Sequence, residues 1–127
     1  MKKIYIAGKY DDTNVIDVLG NIRKGIELAV QVLKNGDIPF CPFLDFMFAL
    51  VDKGYQLGIV DFRNYSMEWL KVCDEVWLLD NWRTSGGCKA EIKEAKELGI
   101  PVLESVEWFP KLHKEMSANF HKDWGTV

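Results

Sequence analysis

The sequence predicts a single α/β domain: a parallel sheet of four to five strands in the order 2-1-3-4, with helices on both faces. Three observations lead there. Short β-branched or aromatic runs alternate with longer segments of helical period. Glycines close two of the helical segments. The run Glu75 to Asp80 is almost entirely apolar, as a strand covered on both faces must be. At 127 residues such a chain can bury one core without disulfides or metal.

Lys3-Ile4-Tyr5-Ile6-Ala7 reads as the first strand, released by Gly8 into the polar stretch Lys9 to Asn14. Apolar residues then recur at Val15, Val18, Leu19, Ile22, Ile26, Ala29, Val30 and Leu33, the stripe of a helix that stops at Asn35-Gly36. Ile38 to Pro42 is a second strand, confined to the sheet edge by its two prolines. A short helix is expected near Leu44 to Leu50, then a loop, then helical period from Phe62 to Val72. After the third strand, Asn81 to Gly87 forms a polar turn. The next helix turns Ala90, Ile92, Ala95 and Leu98 inward and ends at Gly99. Ile100 to Leu103 is the last strand. A final helix is expected from about Pro110, carrying Leu112, Met116 and Phe120 inward.

Composition limits the partners. Five Trp, four Tyr and seven Phe with a net charge of −3 exclude disorder. The absence of a Lys/Arg stripe argues against a nucleic-acid polymer. The apolar run before Gly8 is too short for a leader or a membrane span, so a cytoplasmic protein without a membrane partner is expected. Cys41, Cys73 and Cys88 lack ligand or disulfide spacing and read as reduced filler, and no metal is called for. His113 and His121 have no partner at ligand spacing.

In such a sheet, ligands bind beyond the carboxyl ends of the strands where the order reverses, here between the first and third strands. That brings Gly8 to Asp12 opposite Asp80 to Glu91. Ser85-Gly86-Gly87 opens a helix, where free amides and the helix dipole suit an anion. The same residues equally form a serine cap with glycines easing a tight turn. Glu91, six residues on, can return its carboxylate toward the mouth of the site, or be one more acid on a charged helix. Arg83 is either an oxyanion clamp or an exposed loop arginine. Phe43, Phe46, Met47 and Phe48 form an aromatic-rich cluster suited to base stacking, with core or interface packing as the default.

Ile4 to Gly8, Asn21-Ile22-Arg23, Glu68 to Val76, Asn81-Trp82-x-x-Ser85-Gly86-x-x-x-x-Glu91 and Leu98-Gly99-Ile100-Pro101-Val102 occur in an order and spacing that resembles the nucleoside 2-deoxyribosyltransferase-like superfamily. Within it, the resemblance is to a small phage and bacterial branch beside the nucleoside 5′-monophosphate N-glycosidases. It implies a flavodoxin-like (Rossmann-like) domain over residues 1–127 that cleaves a base–sugar bond without a cofactor. Glu91 would be the nucleophile, and Ser85, with Gly86 and Gly87, would bind a 5′-phosphate where the transferases carry aspartate. Gly8, Lys9 and Tyr10 would form the facing wall.

Where the family commonly has an aspartate acting on the leaving base, this sequence has Ser66. Asp61 and Asp80 are candidates to supply that carboxyl, with helix capping and loop capping as their alternatives. The expected ligand is a nucleotide or nucleoside. A nucleotide-binding module without turnover and an oligomeric interaction protein are the competing classes. The resemblance also implies a homodimer or larger homo-oligomer, with residues 106–127 at the interface. Trp108, Phe109 and Phe120 are counted as aromatic surface in support of it.

Overall fold

The computed structural model describes residues 1–52 and 56–112. Four strands, β1 (Lys3–Ala7), β2 (Ile38–Phe40), β3 (Glu75–Leu78) and β4 (Val102–Leu103), form one parallel sheet in the order β2-β1-β3-β4. The order and the parallel pairing are those the sequence predicts, and β2 lies at the edge. Helices α1 (Val15–Lys34), α2 (Ile59–Leu70) and α3 (Gly86–Glu97) connect them. A 3-10 segment (Pro42–Leu50) follows β2, and a 3-10 turn (Trp82–Thr84) precedes α3.

Alternation along β1 and β3 divides the core into two layers. Ile4, Ile6 and Trp77 face Val18, Ile22, Leu28 and Val32 of α1, together with Trp108 and Leu112. Tyr5, Ala7, Val76 and Leu78 face Leu70 of α2 and Cys88 and Ala95 of α3. This is the period-two division expected of strands covered on both faces.

The helix termini follow local chemistry. Asn14 caps α1 by accepting a hydrogen bond from the Asp17 N–H at 2.9 Å, and Gly36 takes φ +90° just past its end. Gly99, at φ +73°, likewise turns the chain out of α3.

Three readings need correction. The buried face of α1 is Val18, Asn21, Ile22, Gly25, Leu28 and Val32. Val15, Leu19, Ile26, Val30 and Leu33 of the expected stripe are solvent-exposed. Asn21 and Gly25 lie on the sheet side because contact requires them there. A Cβ at position 25 would come within 2.5 Å of the Phe43 ring.

The last helix begins earlier than Pro110, residues 105–112 being helical. Leu112 is fully buried as expected, whereas Met116, Phe120, His113, His121 and Trp124 lie outside the described residues. Trp108 is not spare surface. It is 9% exposed and stacks on Trp77 with centroids 5.6 Å apart and planes 4° from parallel, and its Nε1 donates to the Leu78 carbonyl at 2.9 Å.

Among the described residues, no helix is long and apolar enough to cross a membrane. The three cysteines are free and buried. Trp108→Ala removes the ring that holds the 105–112 segment to the sheet. It should lower unfolding stability by about 3–5 kcal/mol, the usual cost of truncating a buried tryptophan, as read from the midpoint of urea unfolding.

Candidate active site

The carboxyl ends of β1 and β3 nearly touch, and two residues make this possible. Gly8 leaves β1 where any Cβ would come within 2.9 Å of Leu79 and of the Asn81 Oδ1. Asn81 then holds the loop after β1. Its Oδ1 accepts from the Lys9 N–H at 2.9 Å, and its Nδ2 donates to the Lys9 carbonyl at 3.3 Å and to the Asn21 Oδ1 at 3.4 Å. Asn21, buried on α1, donates in turn to the Tyr10 carbonyl at 3.4 Å. Gly8 is thus a packing requirement, and Lys9 and Tyr10 are fixed by their backbones.

Beyond this junction lies a cleft of about 840 Å3, in the range of small-molecule sites. It lies at the expected reversal of strand order. Gly8, Lys9, Tyr10, Ser85, Gly86, Gly87 and Glu91, all expected site residues, line it together. The start of α2 adds Arg63, Ser66 and Met67, and the 3-10 segment adds Phe43 and Asp45. Asp61 and Asp80 are not among the lining residues. Asp61 reaches back to accept from the Gly58 N–H at 2.8 Å and so closes the first turn of α2, while Asp80 accepts from the Ser105 hydroxyl at 2.6 Å.

Glu91 is the most perturbed acid in the cleft. Its Oε2 is screened from solvent and has no hydrogen-bond partner. Burial pushes the carboxyl up to about 7. Tyr5 draws it down in part, and the nearby Asp45 raises it further. The Tyr5 hydroxyl, at the centre of β1, is itself buried without a fully formed hydrogen bond. Burial holds its pKa well above the ordinary value, and Glu91 raises it again, whereas the adjacent Ser66 hydroxyl acts the other way. Glu91, Tyr5 and Ser66 are therefore one polar group at the end of the sheet.

Ser85 is the N-cap of α3, its Oγ accepting from the Cys88 N–H at 3.1 Å. The capping alternative is thus realised. The two glycines are not needed for packing: a Cβ at Gly86 would meet nothing within 4 Å, and one at Gly87 only the Ser85 Oγ at 3.9 Å. Neither has a positive φ. What they provide is bare backbone at the first turn of a helix facing a cleft, where amide hydrogens attract negative charge.

Arg83 points elsewhere. It pairs with Glu104 at 2.8 Å and lies over the Trp82 ring, outside the cleft lining. Lys9 pairs with Asp12 at 3.5 Å. Arg63 forms no ion pair among the described residues. Cys88 is inert, being 1% exposed with its thiol pushed up to about 12 by burial. Tyr10 stacks on Phe43 at 5.8 Å and meets Phe46 edge-on at 6.4 Å, giving the cleft a flat aromatic side. Met47 and Phe48 do not line it. Among the described residues, no group of three potential metal ligands occurs.

Sequence reasoning missed Asp45, Arg63 and Tyr5, and quoted Asn81 without a role. For Asp45 a signal existed, because it follows the carboxyl end of β2 and such loops face the crevice.

Residues 2–105 match a family model described as Domain of unknown function (DUF7768). No curated protein matches the sequence. Among solved structures, the 2-deoxyribosyltransferase from the psychrotolerant bacterium Bacillus psychrosaccharolyticus aligns at 21% identity and a TM-score of 0.55. The alignment covers 80% of this chain and 70% of that one. That protein is described as a biocatalyst for synthesis of antiviral and antitumoral nucleosides. At this identity the likeness is one of fold, the same flavodoxin-like arrangement.

The raised Glu91 carboxyl has a consequence for stability. The folded state holds this proton more tightly than the unfolded chain, so native stability falls as pH rises from about 4.5 to about 7. Glu91→Gln should be neutral at pH 4 and stabilising at pH 8, by up to about 3 kcal/mol. Thermal melts of both proteins across that range measure it.

Proposed function

Because the chain belongs to the family described as Domain of unknown function (DUF7768), its chemistry has to be read from its site. We propose that it is an N-glycosidase or deoxyribosyltransferase-like enzyme that cleaves the base–sugar bond of a nucleoside 5′-monophosphate. The observation that carries this reading is Glu91: a desolvated carboxyl without a partner at Oε2, at the sheet end of a cleft sized for a nucleotide. The shared fold with a 2-deoxyribosyltransferase supports it.

In the forward step the Glu91 carboxylate attacks the anomeric carbon. The C1′–N bond breaks, its electron pair stays on the base nitrogen, and a glycosyl ester forms on Glu91. Water then attacks the same carbon, releasing the sugar phosphate with retained configuration and restoring the carboxylate. A second base in place of water gives transfer. Tyr5, beside Glu91, favours the ionised carboxylate and orients it. The amides of Gly86 and Gly87 receive the 5′-phosphate, with Arg63 as the available cation. The base lies against the Tyr10 side.

Incubation with a panel of ribo- and deoxyribonucleoside monophosphates, with chromatography of the free base, tests this. Native protein should release base, and Glu91→Gln should lose at least about 10³-fold in rate. Base release that survives the substitution removes Glu91 from its role, and nucleotide binding without release favours a binding module instead.

We further propose a homodimer or larger homo-oligomer. Val15, Leu19, Val30 and Leu33 leave an apolar row on α1 uncovered, and on the other face Phe48, Trp69 and Val72 are exposed. Sedimentation at micromolar concentration should give more than the monomer mass. A monomer at every concentration overturns this.

A further inference from the structure

Resting on that reading, the cleft presents a second carboxyl with no role assigned to it. Asp45 occupies the first turn of the 3-10 segment after β2 and lines the same cleft as Glu91. The two acids come from different elements, Glu91 from α3 beneath one face of the sheet and Asp45 from the segment whose Phe43 packs into the other. They are near enough for Asp45 to raise the Glu91 pKa. Asp45 also lies beside Tyr10, whose hydroxyl it raises, and so adjoins the aromatic side formed by Tyr10, Phe43 and Phe46.

Cleavage of a base–sugar bond leaves an electron pair on a ring nitrogen, and an acid placed at the base lowers that barrier. Glu91 cannot be this acid while it is the nucleophile. Asp61 and Asp80 are engaged outside the cleft. Asp11 and Asp12 belong to the loop after β1, with Asp12 paired to Lys9. Asp45 is the remaining lining carboxyl, and it is on the aromatic side.

We propose that Asp45 is the general acid of this site, giving its proton to the nitrogen of the departing base while the Glu91 carboxylate bonds to the anomeric carbon. The proton passes from the Asp45 carboxyl to the base, which leaves neutral. Water, on entering to resolve the glycosyl ester, returns its proton to Asp45, so the carboxyl is restored after each turnover.

The charge environment agrees. Burial holds the Asp45 carboxyl up to about 6, well above an exposed aspartate, with the Phe46 N–H opposing. The titratable groups facing it are Tyr10 and Asp11 from the loop after β1, Arg63 from α2 and Glu91 from α3, with Cys41 just before its own segment. Asp45 and Glu91 titrate as a coupled pair, and the state holding one proton between them is the one that turns over.

The test compares two leaving groups. Ordinary nucleoside monophosphates need protonation of the base. In 7-methylguanosine 5′-monophosphate the base is already cationic and departs neutral without an acid. Asp45→Asn should lower kcat on the ordinary substrate by about 10²–10⁴-fold and on the 7-methylated substrate by less than tenfold. The alkaline limb of its pH–rate profile should disappear, and the acid limb should move to lower pH because Glu91 loses a negative neighbour. Glu91→Gln should abolish turnover of both.

Equal losses on the two substrates, or an alkaline limb that persists in Asp45→Asn, overturn Asp45 as the acid and leave the glycosidase reading standing. Should native protein not accept the methylated nucleotide, the pH profile decides alone. Native protein that releases no base from any nucleotide overturns both.

Discussion

The structure depends on how closely β1 and β3 approach at their carboxyl ends. Gly8 has no room for a side chain against Leu79 and Asn81, and the Asn81 amide supplies both a donor and an acceptor to the backbone of Lys9. A strand end of this kind leaves backbone groups without sheet partners, and one side chain satisfies two of them. Because Asn81 also reaches Asn21, the loop after β1, the loop after β3 and helix α1 are fixed to one another. The cleft walls inherit that rigidity: Tyr10 on one side and the start of α3 on the other are held by the same small network.

That network also explains what the sequence can and cannot convey. Strand order, the edge position of β2 and the Ser85 start of α3 follow from signals local in sequence: prolines, a fully apolar run, a cap followed by helical period. The orientation of α1 does not. The two positions nearest the junction are Asn21, present for its hydrogen bonds, and Gly25, present because Phe43 occupies the space of a side chain. Neither counts as apolar, so the period of hydrophobic residues selects a neighbouring stripe, much of which faces solvent. Tertiary contact overrides the amphipathic pattern where the structure is most constrained.

The site divides in the same way. Glu91 and Ser85 lie at a fixed spacing on one helix and are legible together. Asp45, Arg63 and Tyr5 converge from three separate elements, and only the fold brings them to one cleft. Trp108 illustrates the opposite error. Counted as surplus aromatic surface, it is instead the partner of Trp77, because a thin sheet needs a large flat side chain on the face that α1 does not cover completely.

Two glutamates of this chain make an internal comparison that bears on the role of the cleft. Glu75, at the amino end of β3, is 5% exposed. Burial would raise its carboxyl, but Lys2, the Trp77 Nε1 and Lys111 outweigh that, and its pKa is lowered. Glu91, toward the opposite end of the sheet, has no cation named among the causes of its shift, and its pKa rises to about 7. The fold can therefore neutralise a buried carboxylate, and does so where the group only holds structure. An unpaired acid is costly to keep, and its place at the carboxyl ends of the strands, beside a cleft rather than inside the core, is where a carboxyl that must change protonation and bond to carbon is useful. The contrast separates a structural carboxylate from a reactive one without reference to any related protein.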